Sequence, residues 1–461
     1  MKLKNGSRIA VIGGGPAGSF FAHFALKYAH QAGLDLRISI FDGKDFLLKG
    51  PKGCNLCAGI ISNSLLKIME DEGIYIPESR IVNRLGGYIL HFDGESLFLS
   101  CEENKIDAIP TVFRGNGPAT SAYVENISFD DFLQTRVKVQ GVEFFPQPVL
   151  DVTLPSKPGG MINLAYGSKE SPDISEYDLV VGAFGVNAYF MRKMSSMGFG
   201  YVPPKTLLTY QTEIKLGQDV VEREFGNTIH LYLPKAKSIR YATAIPKGNF
   251  ISVTLVGKKD ATSELVHDLF SIRGLEDKIQ DRQSQCFCLP KIVYSDAKRP
   301  FTDGLLIIGD AGFSRLYKNG IRSAFTTARL AAEAAVFHGI DARSLDTYYD
   351  KRARKIIHRD NQYGKVLFWV GDLIKHFPSL TKAHLSLAEG GGFRKSSRRI
   401  RQVLWYIFTG NLSYKEIYKI FFNFSLQISW LLKVFTIQIK KIRSLLKKSR
   451  KPEDMSSTPQ E

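Results

Sequence analysis

Three glycines spaced as Gly13-x-Gly15-x-x-Gly18 follow directly on the apolar run Arg8–Ile12, and they restrict this chain more than any other feature. The first glycine permits a tight turn, the second lets the backbone approach a pyrophosphate, and the third lets a helix pack closely on the strand. The Ala- and Phe-rich stretch to about Ala32 reads as that helix, with its N-terminus placed to attract phosphate. A second alternating run, Leu36 to Phe41, ends on Asp42, positioned to bond a ribose hydroxyl. Strand, glycine turn, helix, strand and acid stand in the order a βαβ nucleotide unit requires. A glycine turn that holds no ligand is the competing reading, and the flanking strand and acid argue against it.

The kind of dinucleotide is decided far downstream. Leu305-Leu306-Ile307-Ile308-Gly309-Asp310-Ala311-Gly312 puts an aspartate at the end of a very apolar strand, and Lys318-Asn319-Gly320-Ile321 then opens an Ala-rich helix running to about His338. An aspartate there can bond flavin ribityl hydroxyls, and the helix N-terminus can face the electron-rich N1–C2=O edge of the ring. A strand-end Asp serving only as a helix cap leaves the paired glycine loops unexplained. The expected cofactor is therefore FAD, held by Gly13, Gly15, Pro16, Ala17, Gly18, Asp42, Gly309, Asp310, Gly320 and Ile321.

The expected fold is α/β: a Rossmann-like, three-layer β/β/α FAD-binding domain formed by residues 1–205 and 295–340. An antiparallel substrate domain, 206–294, interrupts it; there apolar and polar residues alternate between turn signals such as Pro246-Lys247-Gly248-Asn249. Residues 84–104 are candidates for the same sheet. A helical region, 341–450, and a solvated tail, 451–461, complete the chain. Further elements are expected as a helix from Ser64 to about Asp71, a helix opening at Phe129, a strand over Val142–Val152 and another over Tyr177–Gly182. No internal repeat is visible.

With these motifs in place the chain resembles the geranylgeranyl reductase family, within the flavoproteins related to para-hydroxybenzoate hydroxylase, over roughly residues 7 to 365. Beyond the two flavin motifs, three segments carry the resemblance. Lys52-Gly53-Cys54-Asn55-Leu56-Cys57-Ala58-Gly59-Ile60-Ile61-Ser62 is similar to the family's Cys-Gly-Gly-x-x-Ser loop, with Cys57 in the place of the family cysteine. Tyr241-Ala242-Thr243-Ala244-Ile245-Pro246 resembles its Tyr-x-Trp-x-Phe-Pro strand, with Thr243 and Ile245 where aromatics are usual. Phe129-Asp130-x-x-Leu133 matches a helix start that a family arginine precedes; Asn126 occupies that place here. Tyr177–Gly185 resembles the Asp-Leu-Val-Val-Gly-Ala-Asp-Gly segment of flavin hydroxylases, with Phe184 replacing the second aspartate, which disfavours an NADPH-driven aromatic hydroxylase.

The resemblance implies an FAD-dependent oxidoreductase that reduces carbon–carbon double bonds of an isoprenoid or other apolar lipid by hydride transfer from reduced flavin. Cys57 is then the catalytic residue nearest the reacting bond and Tyr241 the wall of the cavity, with Cys57, Ala58 and Val149 as further flavin contacts and NAD(P)H or a reduced ferredoxin as electron donor. Two alternatives stand beside it: a flavin monooxygenase or halogenase acting on an aromatic or lipid substrate, and a membrane-associated flavin-binding protein without catalysis.

Cys54-x-x-Cys57 can be read as a redox dithiol, or with Cys286-x-Cys288 as a zinc site, although Cys-x-Cys in a strand also packs as small apolar residues. No metal is expected, and the nine scattered histidines suggest none. The loop Thr111–Pro118, with its single Arg114, reads as a cover for the flavin, as a guide for a substrate phosphate, or equally as a plain surface turn. Net charge is +17, but fifteen Lys and Arg against one acid between Arg394 and Lys451 account for +14 of it. Such asymmetry argues for one basic surface element and against a nucleic-acid-binding body. Within it, Phe421, Phe424, Ile428, Leu431, Leu432, Phe435, Ile439, Ile442 and Leu446 recur at helical spacing over Ile420–Leu446. Lys440, Lys441, Arg443, Lys447, Lys448 and Arg450 accompany them. An anionic membrane surface met through residues 394–450 is the expected partner; packing of that helix on the body and a bilayer-spanning helix are the alternatives. The absence of a signal-like N-terminus and the odd number of cysteines point to a cytoplasmic, peripherally membrane-associated protein.

Overall fold

The computed structural model describes residues 1–54, 57–92, 94–157, 159–236, 238–258, 271–279, 284–317, 319–390 and 394–448. Its first strand, Ser7–Ile12, buries both faces. Ile9 and Val11 join a cluster with Phe20, Phe24 and Phe325, while Ala10 and Ile12 join another with Phe41, Tyr166 and Leu305. Burial on two faces with a period of two is what a central parallel strand needs. The strand pairs in parallel with Leu36–Phe41 on one side and Leu179–Gly182 on the other. Glu143–Phe145 and Leu305–Ile307 extend this sheet in parallel, and Phe301–Thr302 closes it as an antiparallel edge. Helices Pro16–Ala32 and Gly320–Glu333 cover one face, locked by edge-to-face contacts of Phe325 with Phe20 at 5.2 Å and Phe24 at 5.1 Å. The three antiparallel strands Val149–Thr153, Ile162–Gly167 and Pro172–Tyr177 cover the other. The three-layer β/β/α architecture expected from the sequence is present.

One expected strand is divided. Residues 142–152 form Glu143–Phe145 in the parallel sheet and Val149–Thr153 in the three-stranded sheet. Pro146 and Pro148 fall between them, and a proline offers no N–H to a ladder.

A second sheet runs in the order Ser284–Cys288, Thr206–Lys215, Phe250–Gly257, Ile239–Lys247, Ile229–Tyr232, Gly87–Phe92 and Glu95–Ser100, with Lys291–Val293 also paired to Thr206–Lys215. All neighbours are antiparallel except Ile229–Tyr232 and Gly87–Phe92. One face carries Ile214, Ala242, Ala244, Ile251, Val253 and Leu255, packed against Val221 and Phe225 of the helix Gln218–Phe225. The opposite face is polar. Strand register places Gln211, Thr254 and Thr243 in one row and Glu213, Ser252 and Ile245 in the next, with Cys288 and Cys286 across from Gln211 and Glu213.

The chain divides into two compact units, Met1–Lys365 with Thr409–Asn411, and Val366–Phe408 with residues 412–461. Residues 342–365, assigned by sequence to the C-terminal region, thus fall in the first unit, where Tyr349 donates to the Ile307 carbonyl at 2.7 Å. In the second unit the helix Pro378–Ala388 packs on the terminal helix Phe424–Lys448, with Trp430 Nε1 donating to His384 Nδ1 at 2.8 Å. The terminal helix starts four residues later than expected. A separate helix, Tyr414–Phe421, precedes it, closed at its own start by the capping box of Ser413 and Glu416. The solvated tail expected at 451–461 lies outside the described residues.

Two histidines of the second sheet touch: His91 Nε2 and His230 Nδ1 lie 3.0 Å apart, and His230 Nε2 is 3.0 Å from the Phe225 carbonyl. Because a carbonyl only accepts, His230 Nε2 carries the proton and Nδ1 takes one from His91. Burial lowers His230 to a pKa of about 4, against an ordinary value near 6.5. The imidazole therefore stays neutral in the folded protein while the unfolded chain binds a proton, so its stabilising contribution is full above about pH 6.5 and is lost as pH falls to about 4. A shift of that size corresponds to roughly 3 kcal/mol. Carboxylates such as Glu213 and Asp310, raised by desolvation, act in the opposite sense. The comparison to make is thus between proteins: His230→Gln should flatten the loss of thermal midpoint between pH 6.5 and 4, and equal slopes would refute the assignment.

Candidate functional site

The glycine turn is built from backbone approaches that leave no room for side chains. Gly13 has φ +108°, and a Cβ there would lie 2.6 Å from the Ala183 carbonyl oxygen. A Cβ on Gly18 would lie 2.0 Å from the Gly13 carbonyl oxygen, which is how closely the helix sits on its strand. Gly15 caps that helix without a side-chain bond, Pro16 follows, and no acid lies in the first turn. The positive end of the helix is therefore open to an anion. Gly14 is held in place from both sides: its N–H donates to Asp42 Oδ2 at 2.8 Å, and its carbonyl accepts from Gln134 Nε2 at 3.0 Å. Asp42 Oδ1 accepts from the Lys44 N–H at 2.9 Å, so each carboxylate oxygen keeps one lone pair for a ribose hydroxyl. Burial raises the pKa of Asp42, opposed by those two backbone donors.

The second motif meets the first. Gly309, at φ +66°, would place a Cβ 3.0 Å from Ala17 Cβ. Parallel pairing explains this: Ile12 is in register with Gly182, and Gly182 with Ile307, so three strands end side by side. Asp310 follows, deeply set, and its Oδ1 accepts from Ser314 Oγ at 2.6 Å. Its Oδ2 accepts no hydrogen bond among the described residues and faces Gly320, whose Cβ would lie 3.2 Å away. The helix Gly320–Glu333 has Asn319 in the left-handed region at its start, no side-chain cap and no acid in its first turn. Lys318 lies outside the described residues. Two uncapped helix starts and one open buried carboxylate oxygen are what pyrophosphate, ring edge and ribityl chain of FAD require, so the residues present fit that group. Ile321 is buried behind this second helix start. Val149 belongs to the three-stranded sheet and packs on the cluster of Phe41 and Tyr166; the adjoining Pro148 is the nearest neighbour of Gly43.

The cysteine loop is threaded along Thr111–Val112. Gly59 has φ +70°, its carbonyl accepts from the Val112 N–H at 2.8 Å, and a Cβ on it would lie 1.9 Å from the Val112 carbonyl oxygen. Cys57 Sγ accepts from the Gly59 N–H at 3.4 Å. Asn55 and Leu56 lie outside the described residues. Arg114 does not sit on a plain surface turn: it is nearly buried and forms a two-pronged ion pair with Asp130, Nη2 to Oδ2 at 2.8 Å. Its charge pulls the pKa of Asp310 down, against the upward push of burial. Asn126, standing where the family has arginine, bonds Asp131 Oδ2 at 2.6 Å. Among the described residues no group of three or more His, Cys, Asp or Glu is arranged to hold a metal ion.

Tyr241 donates to the Tyr317 carbonyl at 3.0 Å, which ties the polar face of the second sheet to the loop before the Gly320 helix. Sequence reasoning passed over the next residue of interest on that face. Lys247 is fully buried, donates to the Val112 carbonyl at 3.0 Å and lies 4.5 Å above the Phe113 ring. Its Nζ would be 2.9 Å from a Cβ on Gly59, so it stands directly behind the cysteine loop. Glu213, also buried, has both carboxylate oxygens within 2.8 Å of Ser252 Oγ. Desolvation lowers the pKa of Lys247 and raises that of Glu213, and each charge opposes the other's shift. The signal was available: Tyr241, Thr243, Ile245 and Lys247 are alternate residues of one strand and share its face.

Two measurements check this site. Gly13→Ala must displace backbone at a left-handed position, so the variant should lose most of its bound flavin on gel filtration while keeping its far-UV spectrum; unchanged flavin content would contradict the turn assigned here. Breaking the buried Lys247–Glu213 couple from either side should destabilise by roughly 3 kcal/mol, whereas Lys247→Met with Glu213→Gln should recover a large part of the loss. Additive effects in a denaturant double-mutant cycle would show that the two charges are independent.

No family model matches the chain. A digeranylgeranylglycerophospholipid reductase from Methanothermobacter thermautotrophicus is 26% identical over 271 residues, 55% of this chain and 67% of the relative. Among solved structures, a geranylgeranyl bacteriochlorophyll reductase-like protein from Thermoplasma acidophilum superposes with a TM-score of 0.63 at 17% identity, over 91% of this chain and 99% of that one. A flavoprotein/dehydrogenase from Cytophaga hutchinsonii gives 0.64 at 15% identity, over 95% and 100%. A flavin-dependent halogenase gives 0.62 at 17%, over 96% and 78%. The chain thus has the fold of FAD-dependent oxidoreductases, and its sequence is similar to that of a reductase of the geranylgeranyl type.

Proposed function

We propose that this FAD-dependent oxidoreductase reduces carbon–carbon double bonds of an isoprenoid or other apolar lipid. The observation that carries the reading is the sequence similarity to a lipid reductase, together with a Cys57–Gly59 loop whose small residues bring its backbone against Val112 and Lys247. The Gly13–Gly18 turn and its helix hold the pyrophosphate, Asp42 a ribose hydroxyl and Asp310 the ribityl chain. Bound reduced FAD supplies hydride. The chain's own task is then to orient the double bond, exclude water and deliver a proton to the second carbon. Cys57 is the side chain we place nearest the bond. Lys247 Nζ stands directly behind that loop, burial lowers its pKa, and we assign the proton delivery to it. Tyr241 acts through the loop it anchors, since its hydroxyl is bonded to the Tyr317 carbonyl. Electrons enter from NAD(P)H or a reduced ferredoxin.

The halogenase likeness is as close as the reductase likeness, 0.62 against 0.63, so the fold does not choose between reduction and oxygen chemistry. Turnover does. Protein reduced with dithionite under anaerobic conditions and mixed with an unsaturated isoprenoid glycerolipid should be reoxidised, and the lipid should gain two hydrogens for each bond reduced. Lys247→Met should slow that reoxidation at least tenfold without loss of flavin. Alkene left unchanged, with NAD(P)H-dependent oxygen uptake on an aromatic substrate, would replace this reading by the oxygenase or halogenase. Bound flavin that no donor reduces would replace it by a binding role.

A further inference from the structure

The apolar stripe of the terminal helix is turned away from the helices it packs on. Phe424, Ile428, Leu431, Phe435, Ile439 and Ile442 are between 41% and 78% exposed, unusual for six bulky residues on one helix. At about 100° per residue they fall within a sector of about 80°, a single line running along most of the helix. The packed side lies elsewhere. Leu426 is 1% exposed, and Ser429, 6% exposed, lies 2.8 Å from Ser396 of the helix Arg394–Thr409. Packing on its own unit therefore uses a different face and leaves the stripe uncovered.

We infer that this stripe is an interfacial docking surface for an anionic lipid bilayer. Charge selects the occupant. No acid occurs between Ile417 and Lys448, whereas Lys433, Lys440, Lys441, Arg443, Lys447 and Lys448 do. A second copy of the helix brought face to face would meet only like charge along its flanks, where paired helices place opposite charges. A surface of lipid phosphates meets the cations and accepts the apolar residues together. Lying in the interface rather than crossing it also follows from the shape. No single described helix is long and apolar enough to cross a membrane; the joint stretch Tyr414–Phe421 with 424–443 passes that test only with a 57° bend between its halves. Trp430 donates its indole N–H to His384, so it is committed to packing within the unit. The aromatic residues offered to lipid are therefore Phe424 and Phe435. Docking of this kind holds whichever reaction the flavin performs.

The test uses the full-length, FAD-loaded protein and flotation with vesicles of phosphatidylcholine alone or mixed with phosphatidylglycerol. The expected result is strong binding to the mixed vesicles and weak binding to the neutral ones. Lys440→Gln, Lys441→Gln and Arg443→Gln together should weaken binding by about a hundredfold, at about fivefold for each cation. Phe435→Asp, a change at an exposed position that leaves the packed face intact, should reduce it comparably, with flavin content unchanged. Equal binding to both vesicle types, or none, would overturn the inference. A Phe435→Asp protein that binds vesicles normally but sediments at half the mass of the parent would assign the stripe to a second copy. Resistance to alkaline carbonate extraction would assign it to a membrane span.

Discussion

The structure depends on backbone meeting backbone where three parallel strands end. A side chain on Gly18 would fall 2.0 Å from the Gly13 carbonyl oxygen, and one on Gly13 would fall 2.6 Å from the Ala183 carbonyl oxygen. Only with both positions bare can the helix Pro16–Ala32 settle on its strand and point its unsatisfied N–H groups over the strand ends. Parallel register then sets Gly182 and Ile307 beside Ile12. Gly309 is carried against Ala17, and the second helix start follows within ten residues of Asp310. Two motifs at opposite ends of the first unit thus become one cleft rim through strand pairing alone.

Around that rim the protein buries ionisable groups that would be unfavourable elsewhere, and each is held by a specific neighbour. Asp42 is kept by the backbone of the turn it organises, Asp310 by Ser314, and Arg114 by both oxygens of Asp130. Lys247 and Glu213 differ from these. They have a backbone carbonyl and a hydroxyl as partners, and they feel each other through the field instead of through a direct bond. Such a couple gains little stability from its partners. Its position behind Gly59 is where the function proposed above would use a proton on Nζ.

Much of the dinucleotide half was legible because its signals are local. Spaced glycines, an apolar run and an acid lie within a stretch of chain short enough to read directly, and Asp310 stands at a strand end that composition alone reveals. The split of residues 142–152 was legible too, from Pro146 and Pro148, but the alternating pattern outweighed it. The burial of Arg114 and Lys247 was not read, for a different reason. A loop arginine and a strand lysine look solvated until a distant segment covers them: Asp130 in one case, Gly59 with Val112 in the other. Burial of a charge is a long-range property, and the partners that permit it are adjacent only after folding. The same limit explains the terminal helix. Periodicity located its apolar stripe, but which face the neighbouring helices cover depends on Leu426 and Ser429, which the stripe does not include.

The polar face of the second sheet bears on what this cleft can accept. Where the reductase pattern that this strand resembles has Trp and Phe, this chain has Thr243 and Ile245, and strand register sets Gln211, Thr254, Glu213 and Ser252 alongside. Removing two aromatic rings from a sheet face opens volume and replaces apolar wall with hydroxyl and amide groups. Thr254 Oγ1 has no hydrogen-bond partner although it is screened from solvent, and a buried hydroxyl in that state is stabilised by a ligand that can bond it. A uniformly aliphatic chain cannot. Under the function proposed above, such a face would suit a lipid whose reacting segment lies near oxygen functions better than a pure hydrocarbon.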